Sequence, residues 1–320
     1  MLLGLILLFS LAAAAADWLH FRRARRARLR RLSLAWAAAT DALPLAVVGM
    51  GLLCRDNPTP VVMASMWLFW VWMATVLPRL AFYAFNFFGL RRTGLAAAAA
   101  VFAALVIGVT AGRTSLRVSR TEVCSPALPA TFDGLRIVQL SDIHLGTIVS
   151  PGRELTRLAD RVNALRPDLV LFTGDLVNIR ASELDSTAVR LLRRIEAPVY
   201  SVTGNHDVGK YIKDSLRHPA AESLREVIAR QRAMGWRVLD DETVYLRRGG
   251  DSTALTGLSF DPALSEQRHD RHLPATGLRR AFTGVPQGLY SIVLAHVPQL
   301  WEEITAAGYG DLTPSGRVHA

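Results

Sequence analysis

Cysteine is nearly absent from these 320 residues: Cys54 and Cys124 allow at most one disulfide, and nothing in their spacing decides whether they pair or stay free thiols. Acid is scarce in the first third. Four apolar stretches, Leu2–Ala16, Leu34–Leu53, Val61–Leu90 and Leu95–Ala111, carry Asp41 as their one acidic residue, so no charged relay of the kind an ion-coupled transporter needs is legible there. No basic residue precedes the first stretch, and the arginines stand behind it, the reverse of a cleaved signal peptide's order. That stretch is expected to remain as a helix.

Apolar residues, by contrast, make up 51% of the chain, high for a soluble protein, and they are unevenly spread. Before Gly112 the sequence is dominated by Ala, Leu, Val and Trp; after Thr121 it has ordinary globular composition. The expected division is residues 1–115, an all-α transmembrane region, and residues 116–320, an α/β domain. A bilayer core needs about 20 apolar residues per helix, so four membrane helices are expected, the third long and carrying Pro78 and Arg79. Seven arginines lie between Arg22 and Arg31, and Arg91 with Arg92 separate the third and fourth stretches. Arginine-rich loops are retained in the cytoplasm, which puts the N-terminus and residues 113–320 on the other side; Arg113, Arg117 and Arg120 pull the opposite way. The net charge of +10 is largely arginine beside these helices, so its expected partner is anionic membrane lipid, and no nucleic acid is expected.

The second half is organised around Leu135–Gly146, LRIVQLSDIHLG, an apolar run leading into a polar loop with Asp142 and His144 at its tip. Open α/β sheets bind ligands at that end of a strand, and Asp with His two residues apart can face one metal ion. Pro151–Leu165 has helical spacing, with Ser150 placed as a cap. Asp168–Thr173 reads as a second buried strand and stops at Gly174-Asp175. A helix over Val189–Ile195 and a strand over Pro198–Val202 repeat the pattern, the strand ending in Thr203-Gly204-Asn205-His206-Asp207. Right-handed crossovers make three such strands parallel neighbours and bring their loops onto one rim. Further on, a helix is expected over Ala221–Met234, strands near Val244–Arg247, Ala254–Ser259 and Leu289–Ala295, the last ending at His296, and a helix over Pro298–Ala307. His269 and His272 fall in an expected surface loop.

Four motifs in order, S-D-I-H-L-G, T-G-D-L-V, T-G-N-H-D and L-A-H-V-P, make the region from Leu135 to His319 resemble the calcineurin-like metallophosphoesterase family, in its bacterial membrane-associated branch. The resemblance implies an αββα sandwich of two packed sheets with a two-metal site on its rim. It implies Asp142 and His144 as ligands of the first metal, Asp175 as the bridging carboxylate, and Asn205 and His296 as ligands of the second. His206 matches the catalytic histidine that faces the phosphate without binding metal. Asp207 is expected either to orient a neighbour or to cap the loop. The implied cofactors are two divalent ions, manganese, iron or zinc. The implied activity is hydrolysis of a phosphomonoester or phosphodiester, with a phospholipid or lipid-linked phosphate favoured by the helices, at a bacterial inner membrane. The alternative is a non-catalytic membrane protein that keeps the fold for binding.

The end of the sequence departs from the family pattern, which closes the site with Gly-His-x-His and more strands. Here Gly316-Arg317-Val318-His319-Ala320 stands in that place. His319 matches a ligand of the first metal, whereas Arg317 replaces a ligand of the second with a guanidinium that has no lone pair to give. Pro314 removes a ladder hydrogen bond from an expected strand. These features point to a sandwich shortened at its C-terminus with a weakened second site, or to a variant in which Arg317 clamps the phosphate.

Overall fold

The computed structural model describes residues 2–22, 27–54, 56–260 and 278–316. The expected loop with His269 and His272, and Arg317 with His319, lie outside them. The chain divides into two compact units, Met1–Arg117 and Val118–Ala320.

The first unit is helical: α1 (Leu2–Phe21), α2 (Ala27–Asp41), α3 (Leu43–Leu53), α4 (Thr59–Asn86) and α5 (Arg91–Ile107), the last extended by a wide turn over Gly108–Gly112. Four spans, Gly4–Phe21, Arg30–Met50, Thr59–Asn86 and Arg91–Gly112, are long and apolar enough to cross a membrane. The second is broken between α2 and α3, where Ala42 precedes Pro44 in the first turn of α3.

One expectation is corrected here. Asp41 is not the only acid within the spans, because α1 runs on through Asp17, whose side chain is 2% exposed. Asp17 is held by a partner remote in sequence: Arg79 Nη1 donates to its Oδ2 at 2.6 Å, and Tyr83 donates to its Oδ1. The same guanidinium donates through Nη2 to Asp41 Oδ1 at 2.5 Å and Thr40 Oγ1 at 2.9 Å, and through Nε to the Thr75 carbonyl at 3.0 Å. An acid at the edge of an apolar run reads as the end of the span; paired with a cation from another helix it lies within it.

The second unit has four layers. Strands β1 (Ile137–Leu140), β2 (Leu169–Phe172), β3 (Val199–Ser201) and β4 (Arg237–Val238) form a parallel sheet in that order. Strands β5 (Glu242–Arg248), β6 (Asp251–Leu258) and β7 (Ser291–Ala295) form the other, with β5 antiparallel and β7 parallel to β6. Helices α6 (Pro151–Ala164), α7 (Ser186–Leu192) and α8 (Ala220–Ala233) belong to the first sheet, and α9 (Leu278–Ala281) and α10 (Trp301–Ala306) to the second.

The alternation of side chains along the strands builds these layers. In β2, Val170 and Phe172 enter the core beneath α6, α7 and α8, while Leu169 and Leu171 enter the core between the sheets. In the second sheet Leu255, Ile292 and Leu294 fill that inter-sheet core, and Ala254, Leu258, Val293 and Ala295 face α9 and α10. This is the αββα arrangement the family resemblance implies.

One detail differs from the sequence reading. Ser150 makes no side-chain cap on α6; instead Glu154 Oε1, four residues on, accepts from the Ser150 amide at 2.9 Å. A side-chain cap stands instead on α7, where Asp185 accepts from the Ala188 amide at 2.8 Å. The expected run Asp311–Pro314 lies alongside β7 through bridges Ile292 to Leu312 and Ala295 to Ser315. Pro314 supplies only its carbonyl to that ladder, accepting from Ala295 at 3.2 Å.

Candidate functional site

The loops after β1, β2, β3 and β7 meet on one rim of the two sheets. Asp142, His144 and Asp175 sit in left-handed backbone conformation, at φ 54°, 47° and 59°. None is glycine, and each such residue costs on the order of 1–2 kcal/mol. Loop-to-loop hydrogen bonds hold them there: the Asp142 amide donates to the Gly174 carbonyl at 3.0 Å, His144 to Asp175 at 3.1 Å and Leu145 to Leu176 at 3.0 Å. Two glycines allow the close approach. A Cβ on Gly174, at φ 100°, would come within 2.8 Å of the Gly204 nitrogen and His296 Nδ1, and a Cβ on Gly204 would collide with Asp175 Oδ1.

Asp175, 1% exposed, is the centre. Its Oδ1 accepts from the His206 amide at 2.8 Å. Its Oδ2 faces His296 Nε2 at 3.4 Å, His144 Nε2 at 3.7 Å and His206 Nε2 at 3.9 Å. Asp142 Oδ1 lies 3.7 Å from His144 Nε2, and Asn205 Oδ1 lies 3.0 Å from His296 Nε2. Two rings are oriented from behind by carbonyls: His296 Nδ1 pairs with Thr173 at 2.8 Å and His206 Nδ1 with Asn178 at 2.5 Å. With Nδ1–H donated to a carbonyl, each ring turns the lone pair of Nε2 toward carboxylate and amide oxygens. Acceptors converging on acceptors repel unless positive charge sits among them, and this donor set of carboxylate, amide oxygen and imidazole suits a divalent metal.

Two overlapping triplets have ligand atoms within 4.8 Å of one another, His144–Asp175–His206 and Asp142–Asp175–His296, and they share Asp175. Every site residue expected within the described part of the chain is therefore on this rim. Proximity groups His206 with His144 and Asp175, where the resemblance sets it apart as phosphate-facing. Gly316 also arrives here: its amide donates to the His296 carbonyl at 3.2 Å, and a Cβ on it would lie 2.9 Å from Asp142 Oδ2.

Titration follows from these contacts. Burial alone would lower His296, but the Asp175 carboxylate outweighs it and holds the pKa above the usual histidine value. His144 is likewise raised, with burial opposed by Asp142 and Asp175. In His206 burial prevails and the pKa is lowered. Asp207 touches no other site side chain. Its Oδ2 accepts from the amides of Asp175 at 2.8 Å and Gly204 at 2.9 Å, and its Oδ1 from Leu176 at 2.9 Å and Val177 at 3.1 Å. Of the two expected roles, this is the cap.

Two participants leave no mark in the sequence. Tyr211 Oη accepts from Asn205 Nδ2 at 3.1 Å, and its ring lies 4.2 Å from that of His206. Glu183 accepts from the amides of Gly146 at 3.1 Å, Asn178 at 2.5 Å and Ile179 at 3.1 Å, so it fixes the carbonyl that orients His206. Glu183 ends a single 3-10 turn and Tyr211 lies in a loop, neither long enough to show a period.

A four-layer sandwich that gathers aspartate and histidine around one shared carboxylate defines a metal-dependent class of hydrolase fold. The chain belongs to the calcineurin-like phosphoesterase family, which matches residues 135–315. A Bos taurus protein, "Transmembrane protein with metallophosphoesterase domain", is 37% identical over 229 residues, covering 67% of this chain and 47% of that one. A Danio rerio protein of the same name is 39% identical over 103 residues, 32% of this chain and 23% of its own. "UDP-2,3-diacylglucosamine pyrophosphatase LpxG" of Chlamydia muridarum is 31% identical over 117 residues, 36% of this chain and 35% of its own. The chain thus spans less than half the length of each of these relatives.

Proposed function

We propose that this chain is a membrane-anchored, metal-dependent phosphoesterase that hydrolyses a lipid-borne phosphomonoester or phosphodiester, with its second unit outside the cytoplasm of a bacterial inner membrane. The observation that carries the reading is Asp175 Oδ2, buried and faced by three imidazole nitrogens at 3.4, 3.7 and 3.9 Å. Asp142 and His144 would hold one ion, Asn205 and His296 a second, and Asp175 both; His319 is assigned to the first from the motif alone. Bound divalent ions, manganese, iron or zinc, would supply Lewis acidity toward a phosphoryl oxygen and toward water.

The chain's own contribution is orientation and proton handling. The Asn178 carbonyl fixes His206 with Nε2 toward the rim. Burial keeps this imidazole neutral at neutral pH, and an anionic phosphate beside it favours the imidazolium, whose Nε2–H then meets a phosphoryl oxygen or the departing alkoxide. The lipid-borne substrate is supported by the four candidate spans and by the substrate in the Chlamydia relative's name. Arg317, in a ligand's place, would repel a nearby ion by about 4 kcal/mol or more at 4 Å, which weakens the second site.

The test is hydrolysis of a soluble chromogenic phosphodiester by the full chain with added manganese. Activity should vanish with chelator and in Asp175→Asn, while His206→Ala should lower turnover on the order of 10²–10⁴-fold and retain metal. Chelator-resistant hydrolysis overturns the reading. Elemental analysis should give about one tightly held ion per chain and more in Arg317→His; two with Arg317 intact would favour the phosphate-clamp role.

A further inference from the structure

Between the site and α8 the chain leaves the rim in a closed loop over residues 209–219. Gly209, at φ 74°, sits against Ala220, since a Cβ there would come within 2.9 Å of the Ala220 Cα, so the loop departs and returns at one place. Its stem is anchored inward by buried Ile212, whose amide donates to the Gly209 carbonyl at 3.1 Å. Its tip turns outward. Asp214 accepts from the Arg217 amide at 3.2 Å through Oδ1, and its carbonyl accepts from the His218 amide at 2.9 Å. This turn holds Leu216 at 95% exposure, the most exposed large apolar side chain among the described residues.

The loop's own sequence is one-sided in charge. Lys210, Lys213 and Arg217 stand on the loop against a single acid, Asp214, and the Arg217 side chain is 83% exposed even with its Nε 3.6 Å from Asp214 Oδ2. The opposite end of the loop is part of the site: Tyr211, 41% exposed, packs its ring on His206 and accepts from Asn205. An exposed apolar tip flanked in sequence by the exposed Arg217, on a loop with three cations and one acid, matches the interface of an anionic bilayer, where acyl chain lies beneath phosphate. A protein partner would bury such a leucine in an apolar pocket; the loop's excess of cations favours lipid, and the chain carries four helices able to cross a membrane.

We propose that the loop over residues 209–219 is a lipid-contacting element, in which Leu216 enters the acyl layer, Arg217 meets lipid phosphate, and Tyr211 borders the path of a lipid-borne phosphate ester to His206. Membrane contact stands on the loop alone; the guidance of substrate rests on the phosphoesterase reading.

Two measurements on the full chain reconstituted in vesicles separate these. With a fluorophore on Leu216→Cys, and Cys54 and Cys124 replaced by serine, emission should shift to the blue in vesicles containing phosphatidylglycerol and be quenched by a bromine-labelled lipid. Emission characteristic of water in every vesicle overturns the membrane contact whether or not the chain is an enzyme. For substrate, ethyl and hexadecyl nitrophenyl phosphate share a leaving group and differ in the tail. Leu216→Asp and Arg217→Glu should each lower kcat/KM on the hexadecyl ester by about tenfold and leave the ethyl ester within about twofold. Equal loss on both esters, or on neither, overturns the guidance role; hydrolysis of neither ester by the unaltered chain would count against the phosphoesterase reading instead.

Discussion

Asp207 is buried and meets the central ligand, Asp175, only at its main-chain amide, yet it closes the loop that carries it. Burial pushes its carboxyl up to about 6, with the Asp175 charge adding to the rise, while the amides of Gly204, Val177 and Asp175 oppose it. Asp207→Ala would strand four main-chain donors, so a loss of roughly 3–5 kcal/mol is expected in thermal unfolding, with metal content falling in parallel. The histidines give a pH signature. His144 and His296 are raised in the fold, so their stabilisation is complete below the unfolded value of about 6.5 and is lost as pH rises through the folded one. Asp207 acts in the same sense at lower pH. His206, lowered, acts oppositely, losing its contribution as pH falls through its folded value. Two raised histidines against one lowered make the chelated protein less stable as pH rises from the unfolded histidine value, about 6.5, through the raised folded ones, and manganese should flatten that slope by supplying the charge the protons supplied. A melting temperature indifferent to both pH and metal would contradict the acceptor cluster described above.

At the scale of elements, what was legible in the sequence was whatever carries a period or ends one. Asp142, Asp175, Asn205 and His296 announce themselves because each closes an apolar strand, and the strand sets the rim. Glu183 and Tyr211 act from a single turn and a loop that show no period, and β4, two residues long, is too short to show alternation. Asp17 was illegible for a different reason: its partner Arg79 is 62 residues away, and only the pairing turns a span's end into its interior. That pairing fixes α1 and α2 to α4. Arg79→Met should leave two buried carboxylates without their cation and cost roughly 3–5 kcal/mol, read as a lower melting temperature in detergent. Adding Asp17→Asn and Asp41→Asn to it should recover most of the loss; no recovery would mean that the arginine matters through its packing.

For the whole molecule, orientation is the open variable that decides which pool of phosphate esters is reachable. With seven arginines after α1, a reporter active only outside the cytoplasm should work when fused after Ala320, and its cytoplasmic counterpart should be silent; the reverse result would move the second unit inside. The Asp17–Arg79–Asp41 cluster also carries a consequence for synthesis. At about 5–20 residues per second, the 62 residues between Asp17 and Arg79 take roughly 3–12 s to translate. During that interval the acid of α1, and over its last 38 residues that of α2 as well, has no cation to meet it. The cluster can therefore close only once α4 has been made, because Arg79 is the last of its charged members to be translated.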